Sequence, residues 1–263
     1  MLILAGSRGM TGAALLAGTA ALRAGAGLVT VGIPESLETA VARRSIPELM
    51  RLGLPETKQM TLSVSARERI FSFMERRKIN CLALGPGLST NSQTQSLVRK
   101  VVRDCGVPVV LDADGLNSFK GRSKELLRHR APLILTPHRG EFERLFGQIW
   151  PEKEKQRIQL AKKISKLYDV VLVVKAHRTL VAAHDKIYIN RTGNAGMAKG
   201  GAGDVLTGVL SAFVAQGLEP FQAAVWAVYF HGRAGDEAAK EKSELGVIAS
   251  DLIEALPKVF LKK

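Results

Sequence analysis

Glycines lead straight into an acid at Gly200-Gly201-Ala202-Gly203-Asp204, and the apolar helical pattern Val205-Leu206-Thr207-Gly208 follows at once. Unpaired N–H groups at a helix start, with no side chains in the way, form a cradle for a phosphate or a developing oxyanion, and the helix dipole adds to the attraction. Gly201, Ala202 and Gly203 are therefore the candidate anion hole. A carboxylate in that first turn would repel a bound phosphate. Asp204 is either a dipole-favoured first-turn acid or a general base that takes a proton from a hydroxyl attacking a phosphoryl group. The glycine-rich approach favours the base.

Other chemistries lack their signatures. No Gly-x-x-x-x-Gly-Lys-Ser/Thr loop occurs, and Gly6-x-x-Gly9-x-x-Gly12 does not have the spacing of a dinucleotide fingerprint. There is no Gly-x-Ser-x-Gly elbow for a hydrolase. His129, His138, His177, His184 and His231 form no close pair and no cluster with Cys81 or Cys105, which argues against a structural zinc. His138 and His177 differ from the rest by lying at strand ends, where touching a ligand and bonding a loop carbonyl stand about even. The two cysteines flank apolar runs and read as reduced core residues.

The elements that must position these groups are short apolar runs alternating with longer helical patterns, the arrangement of βαβ units around a mostly parallel sheet. Strands are expected at Leu2–Ala5, Leu28–Ile33, Cys81–Leu84, Val107–Leu111, Leu133–Thr136, Val170–Val174, Thr179–Ala183 and Lys186–Asn190. The last two, joined by His184-Asp185, read as an antiparallel hairpin at one edge. Helices are expected at Ala13–Ala24, Ser65–Arg77, Ser92–Arg103, Glu152–Tyr168, Val205–Gln216 and Phe221–Lys242, and Ser45–Thr61 reads as an unpatterned, mobile loop. In open parallel sheets ligands bind beyond the carboxyl ends of the strands. Here those ends run into Gly6-Ser7-Arg8, Gly85-Pro86-Gly87, Asp112-Ala113-Asp114, Pro137-His138-Arg139-Gly140-Glu141 and Lys175-Ala176-His177-Arg178-Thr179, so five polar or glycine-rich loops converge on one rim.

The 263 residues fit one α/β domain, expected over 1–263. The formal charge of +14, from 38 Lys+Arg against 24 Asp+Glu, favours anionic partners, although the cations are scattered as on solvated helix faces. The opening apolar segment is too short for a signal peptide, and no stretch reaches the ~18 apolar residues of a membrane span. A cytoplasmic protein without membrane attachment is expected. Aromatic residues make up only 5% and no RNA- or DNA-reading motif occurs, so a nucleic-acid partner ranks far behind a small anionic ligand.

Taken together, Ala5-Gly6-Ser7, Met10-Thr11-Gly12-Ala13-Ala14, Gly85-Pro86-Gly87-Leu88, Leu111-Asp112-Ala113-Asp114, Thr136-Pro137-His138-Arg139-Gly140-Glu141 and Gly193–Asp204 resemble the ADP/ATP-dependent NAD(P)H-hydrate dehydratase family. The resemblance implies a ribokinase-like fold, a mostly parallel central sheet with helices on both faces and no separate lid domain. It implies that the S-epimer of NADHX or NADPHX is dehydrated to NADH or NADPH while ADP, the usual bacterial and archaeal co-substrate, becomes AMP and phosphate. Carried over by position, Ala14, Gly87, His138 and Asp204 would contact the hydrate. Lys175, Ala176, His177, Arg178, Thr179 and Gly203 would hold the adenine nucleotide, and Glu141 would help organise Mg2+ and phosphate. A homotetramer is implied as well. The chain departs from the family pattern at Ala202, where Thr or Ser is usual, and at Ala195, where Pro is common. The rival reading is a lidless small-molecule kinase of the same fold acting on a vitamin-precursor alcohol.

Overall fold

The computed structural model describes residues 1–261; the pair Lys262-Lys263 lies outside the described residues. Among the described residues nine strands form one sheet in the order β3-β2-β1-β4-β5-β6-β7-β8-β9. They are β1 (Leu2–Leu4), β2 (Thr30–Pro34), β3 (Met50–Leu54), β4 (Leu82–Leu84), β5 (Val109–Leu111), β6 (Leu133–Leu135), β7 (Val171–Val174), β8 (Leu180–Ala183) and β9 (Lys186–Ile189). Pairing is parallel from β3 through β7 and antiparallel in β7–β8 and β8–β9, so the expected hairpin forms the edge.

Among the described residues the α-helices are α1 (Thr11–Arg23), α2 (Glu38–Ala42), α3 (Ala66–Arg76), α4 (Ser92–Asp104), α5 (Asp114–Asn117), α6 (Arg139–Phe146), α7 (Glu154–Tyr168), α8 (Ala202–Ala215), α9 (Pro220–Gly246) and α10 (Ala249–Leu261). Because successive strand side chains point to opposite faces, the central strands feed two cores. Ile3, Val31, Ala83, Val110 and Ile134 pack with residues of α1, α8, α9 and α10. Leu2, Leu4, Leu82, Leu84, Leu111 and Leu135 pack with residues of α3, α4, α6 and α7. Each of these strand residues is at most 1% exposed. Cys81 and Cys105 are buried and unpaired, and burial pushes the Cys81 thiol up to about 12.

Three sequence expectations change. Ser45–Thr61 is not an unpatterned loop: Met50–Leu54 forms edge strand β3, paired with β2 over five residues. Its inner-facing pattern is broken by Arg51 and Gly53, which an edge strand tolerates. The segment beyond it is tied down by Thr57 N–H donating to Thr61 O at 2.8 Å and by Thr94 Oγ1 donating to Thr61 Oγ1 at 2.9 Å. Arg139–Phe146 is helix α6, not loop. α8 starts at Ala202 instead of Val205, so Gly203 and Asp204 lie within its first turn.

The chain leaves β1 for β2 and β3 on one side and returns to β4 on the other. The strand order therefore reverses between β1 and β4, the place where open sheets of this kind leave a crevice. Here the two loops are stitched together: Gly6 N–H donates to Pro86 O at 2.8 Å, and Ser7 Oγ donates to Gly87 O at 2.8 Å.

Candidate active site

Gly201 caps α8 with φ +91°, and a Cβ there would lie 2.7 Å from Leu16 Cδ1 and 2.9 Å from Ala249 Cβ. Only glycine fits both the left-handed backbone and the close approach of α1 and α10. Among the described residues the N–H groups of Gly201, Gly203 and Asp204 find no acceptor, whereas Ala202 N–H donates to Lys199 O at 3.4 Å, so Ala202, expected in the anion hole, does not offer a free N–H there. His231, on α9, anchors the same turn: its Nε2 lies 2.9 Å from Ala202 O.

Beneath Gly203 lies a charged network. Lys175, just past β7, donates from Nζ to Asp112 Oδ1 at 2.5 Å, and Glu141 Oε2 lies 3.8 Å from the same nitrogen. Thr207 Oγ1, one turn along α8 from Asp204, donates to Asp112 Oδ2 at 2.8 Å. A Cβ added to Gly203 would sit 3.4 Å from Lys175 Nζ, so the ammonium lies directly under the glycine cradle. The register that brings it there is backbone-made: Lys175 N–H donates to Pro137 O at 2.8 Å, and His138 and Lys175 form a parallel bridge beyond the ends of β6 and β7.

The Asp204 carboxylate makes no hydrogen bond among the described residues, in contrast to Asp112. Burial raises its pKa to about 7; the Asp112 carboxylate adds to the rise, Lys175 opposes it, and Asp114 adds a little more. Burial alone would lower the pKa of Lys175, but Asp112 and then Glu141 outweigh it, and the net shift is upward. A base that titrates near neutrality beside an ammonium that stays charged is the combination that proton abstraction from an alcohol near a phosphoryl group needs. Ala113, between Asp112 and Asp114, has φ +49° and ψ −120°, a strained backbone at the site's edge.

The remaining candidates divide. Glu141 is buried in the capping box of α6: its Oε2 accepts from His138 N–H at 2.8 Å. His138 Nδ1 accepts from Gly140 N–H at 3.0 Å, so this histidine caps α6, with its ring on the rim and 52% exposed. Gly87 has φ +62°, and a Cβ there would fall 2.9 Å from Met10 Cβ; it lets the β4 loop press against the start of α1. Ala14 is fully buried beneath Gly6, whereas Met10 and Gly12 are exposed positions on that turn. Ala176, His177 and Arg178 form an exposed rim loop next to Lys175, with Arg178 paired to Glu154 at 3.0 Å and Thr179 Oγ1 donating to Ala176 O at 3.1 Å.

Sequence reasoning does not single out Asp112 or Thr207 as site residues. Thr207 lies three residues beyond Asp204 on one helix face, and Asp112 is the first polar residue after β5, so both signals are present in the chain. A cavity of about 270 Å3 opens at the opposite ends of the strands, beside Met1, Leu28, Asn80 and Gln216. Its lining has no carboxylate, histidine or cysteine, and the chemistry stays at the α8 rim.

His231 also gives a stability prediction. Burial first, and the Lys175 charge as well, hold its pKa down at about 4 against an ordinary 6.5, while the bond to Ala202 O opposes them. A depressed imidazole contributes stability above the unfolded pKa and loses it as pH falls through the folded one. Thermal stability should decline between pH 6.5 and 4 by at most about 3 kcal/mol from this group, and His231→Gln should flatten that part of the curve. A pH series of melting curves on both proteins checks it.

Residues 1–258 match the family model for NAD(P)H-hydrate dehydratase. The chain belongs to the NAD(P)H-hydrate dehydratase family. A bifunctional NAD(P)H-hydrate repair enzyme from Moorella thermoacetica is 42% identical over 262 residues, covering 99% of this chain and 49% of the relative. This family member thus spans about half the length of the first relatives it matches. An ADP-dependent (S)-NAD(P)H-hydrate dehydratase from Bacillus subtilis is 34% identical over 98% of this chain and 88% of its own length. The crystal structure of the ADP/ATP-dependent NAD(P)H-hydrate dehydratase from B. subtilis, co-crystallized with ATP/Mg2+, superimposes with a TM-score of 0.79 at 32% identity, over 98% of this chain and 87% of that one. A ribokinase-like superfamily protein from Enterococcus faecalis gives a TM-score of 0.81 at 26% identity, over 99% of this chain and 86% of that one, so this member of the family has the ribokinase-like fold. Among the described residues no helix is long and apolar enough to cross a membrane.

Proposed function

We propose that this family member dehydrates (S)-NADHX or (S)-NADPHX to the corresponding dinucleotide while ADP is split to AMP and phosphate. The observation that carries this reading is the unbonded Asp204 carboxylate in the first turn of α8, beside N–H groups with no acceptor of their own. Asp204 takes the proton from the hydrate's hydroxyl, whose oxygen attacks the terminal phosphoryl group of ADP as its bond to AMP breaks. The N–H groups of Gly201 and Gly203, with the Lys175 ammonium beneath, stabilise the charge on the transferring group. Phosphate then leaves with the carbon–oxygen bond electrons, driven by the ring nitrogen's lone pair, and accepts the proton lost from the adjacent carbon, which completes the elimination. Gly87 and His138 line the hydrate side, and Ala176, His177, Arg178 and Thr179 line the nucleotide side.

A magnesium ion held by the protein alone does not fit the donor set. Both Asp112 oxygens are taken by Lys175 and Thr207, Glu141 Oε2 accepts from His138 N–H, and among the described residues no group of three His, Cys, Asp or Glu converges. Mg2+ is therefore assigned to the nucleotide's phosphates. A homotetramer in the cytoplasm completes the proposal; sedimentation at four times the chain's mass checks the assembly.

The test is recovery of dihydronicotinamide absorbance from NADPHX with ADP and ATP in parallel, with and without magnesium. Recovery with ADP and equimolar AMP supports the reading. Accumulation of a phosphorylated product with no dihydronicotinamide would contradict it and favour the kinase. The acid limb of kcat/KM should have an apparent pKa of about 7, set by Asp204. Below it the carboxylate is protonated and cannot accept, so kcat/KM should fall about tenfold per pH unit, read from a pH–rate profile.

A further inference from the structure

Lys175 stands where two carboxylates would otherwise face each other across the strand ends. Asp112 is 1% exposed and Glu141 6%, and they come from the end of β5 and the first turn of α6. The Lys175 ammonium lies 2.5 Å from Asp112 Oδ1 and 3.8 Å from Glu141 Oε2. Two nearly buried carboxylates beside a phosphate cradle are hard oxygen donors in the setting that draws a divalent cation. A lysine supplies the countercharge from a covalent tether, so the carboxylates remain compensated in every ligation state of the site.

We propose that the Lys175 ammonium stands in for a protein-held divalent cation between Asp112 and Glu141, and that removing it turns the pair into a Mg2+ or Mn2+ site. The inference deepens the phosphoryl-transfer reading of α8, and its test needs neither substrate nor activity. With Lys175 in place, a metal ion enters only on the nucleotide's phosphates. Without it, the Asp112 oxygen that Lys175 held is free to join Glu141 Oε2, which keeps a second lone pair beside its bond from His138 N–H, around an ion of higher charge, and Thr207 keeps Asp112 oriented.

The experiment titrates Mn2+ into the full chain without nucleotide and follows loss of the free-ion electron paramagnetic resonance signal. The wild type should leave the signal unchanged, and K175R should match it. K175M should take up one Mn2+ per chain, at least about tenfold more tightly than the wild type. Mn2+ should raise the melting temperature of K175M and not that of the wild type. Both effects should vanish in the K175M/D112N double variant. Uptake of one Mn2+ by the wild type that D112N abolishes would overturn the proposal, and so would a folded K175M that takes up none. If K175M does not fold without metal, K175Q, which keeps a donor to Asp112 but no charge, is titrated with the same two outcomes. A wrong assignment of the hydrate substrate would leave these results unchanged, so failure of that reading and failure of this one are distinguishable.

Discussion

Asp204→Asn should lower kcat about a thousandfold with little change in KM, because it removes the proton acceptor and leaves the cradle and Lys175 in place. The same substitution should stabilise the fold at neutral and alkaline pH. Burial, reinforced by Asp112, raises the carboxyl from 3.8 to about 7, so the folded state holds the proton more tightly than the unfolded chain. The group's favourable contribution is fully present below the unfolded value and is lost as pH rises through about 7. The amide does not ionise, so at pH 8 the variant should be more stable by up to about 4 kcal/mol, and the difference should close as pH falls towards 4. Steady-state kinetics and urea denaturation at two pH values read both halves. A variant that keeps its rate would remove Asp204 from the role of base. A variant that is slow but no more stable would place the group in an ordinary aqueous environment.

Gly85→Ala should be the most damaging single methyl addition at the rim. Gly85 has φ +139°, and a Cβ there would lie 1.8 Å from Asp112 O, 2.8 Å from Asp112 C and 2.9 Å from Gly115 N. All three are backbone atoms of the loop that sets Asp112, so no side chain can swing aside. Left-handed strain and overpacking each cost about 1–3 kcal/mol, which predicts a loss of roughly 2–6 kcal/mol in urea denaturation. Any folded fraction should also lose activity, since displacing Asp112 moves the acceptor of Lys175 and Thr207. Gly106→Ala is the control: a Cβ there meets nothing within 4 Å, and its stability should stay within about 1 kcal/mol of the parent. Equal stabilities for the two variants would show that the β4 and β5 loops are not packed as described.

The central strands are legible in the sequence because they are apolar on both faces, as β4 and β7 show, and short runs of that kind belong to a parallel sheet covered by helices on each side. Edge strand β3 is not, because one flank faces solvent and Arg51 and Gly53 interrupt its alternation. α6 is hidden by its own cap. His138, Gly140 and Glu141 read as loop residues, although the histidine ring and the glutamate satisfy the first-turn N–H groups between them.

At the site, the glycine cradle and Asp204 are readable from local order alone, because their chemistry depends on neighbours in sequence. The network below them is not: Lys175 meets Asp112 across 63 residues and Thr207 meets it across 95, distances that no local spacing encodes. At Ala14 the position in the motif points to ligand contact, and the buried side chain packs under Gly6.

If phosphoryl transfer occurs at α8 as proposed, the hydrate's own oxygen becomes part of the phosphate released there. The direct measurement uses NADPHX carrying heavy oxygen at the hydroxyl, ADP and the purified chain, with mass analysis of the products after a single turnover. Heavy oxygen recovered in inorganic phosphate, in step with AMP, is the predicted result. Heavy oxygen recovered in water, with unlabelled phosphate, would mean that hydroxide left directly and that the cradle and Asp204 do not perform phosphoryl transfer.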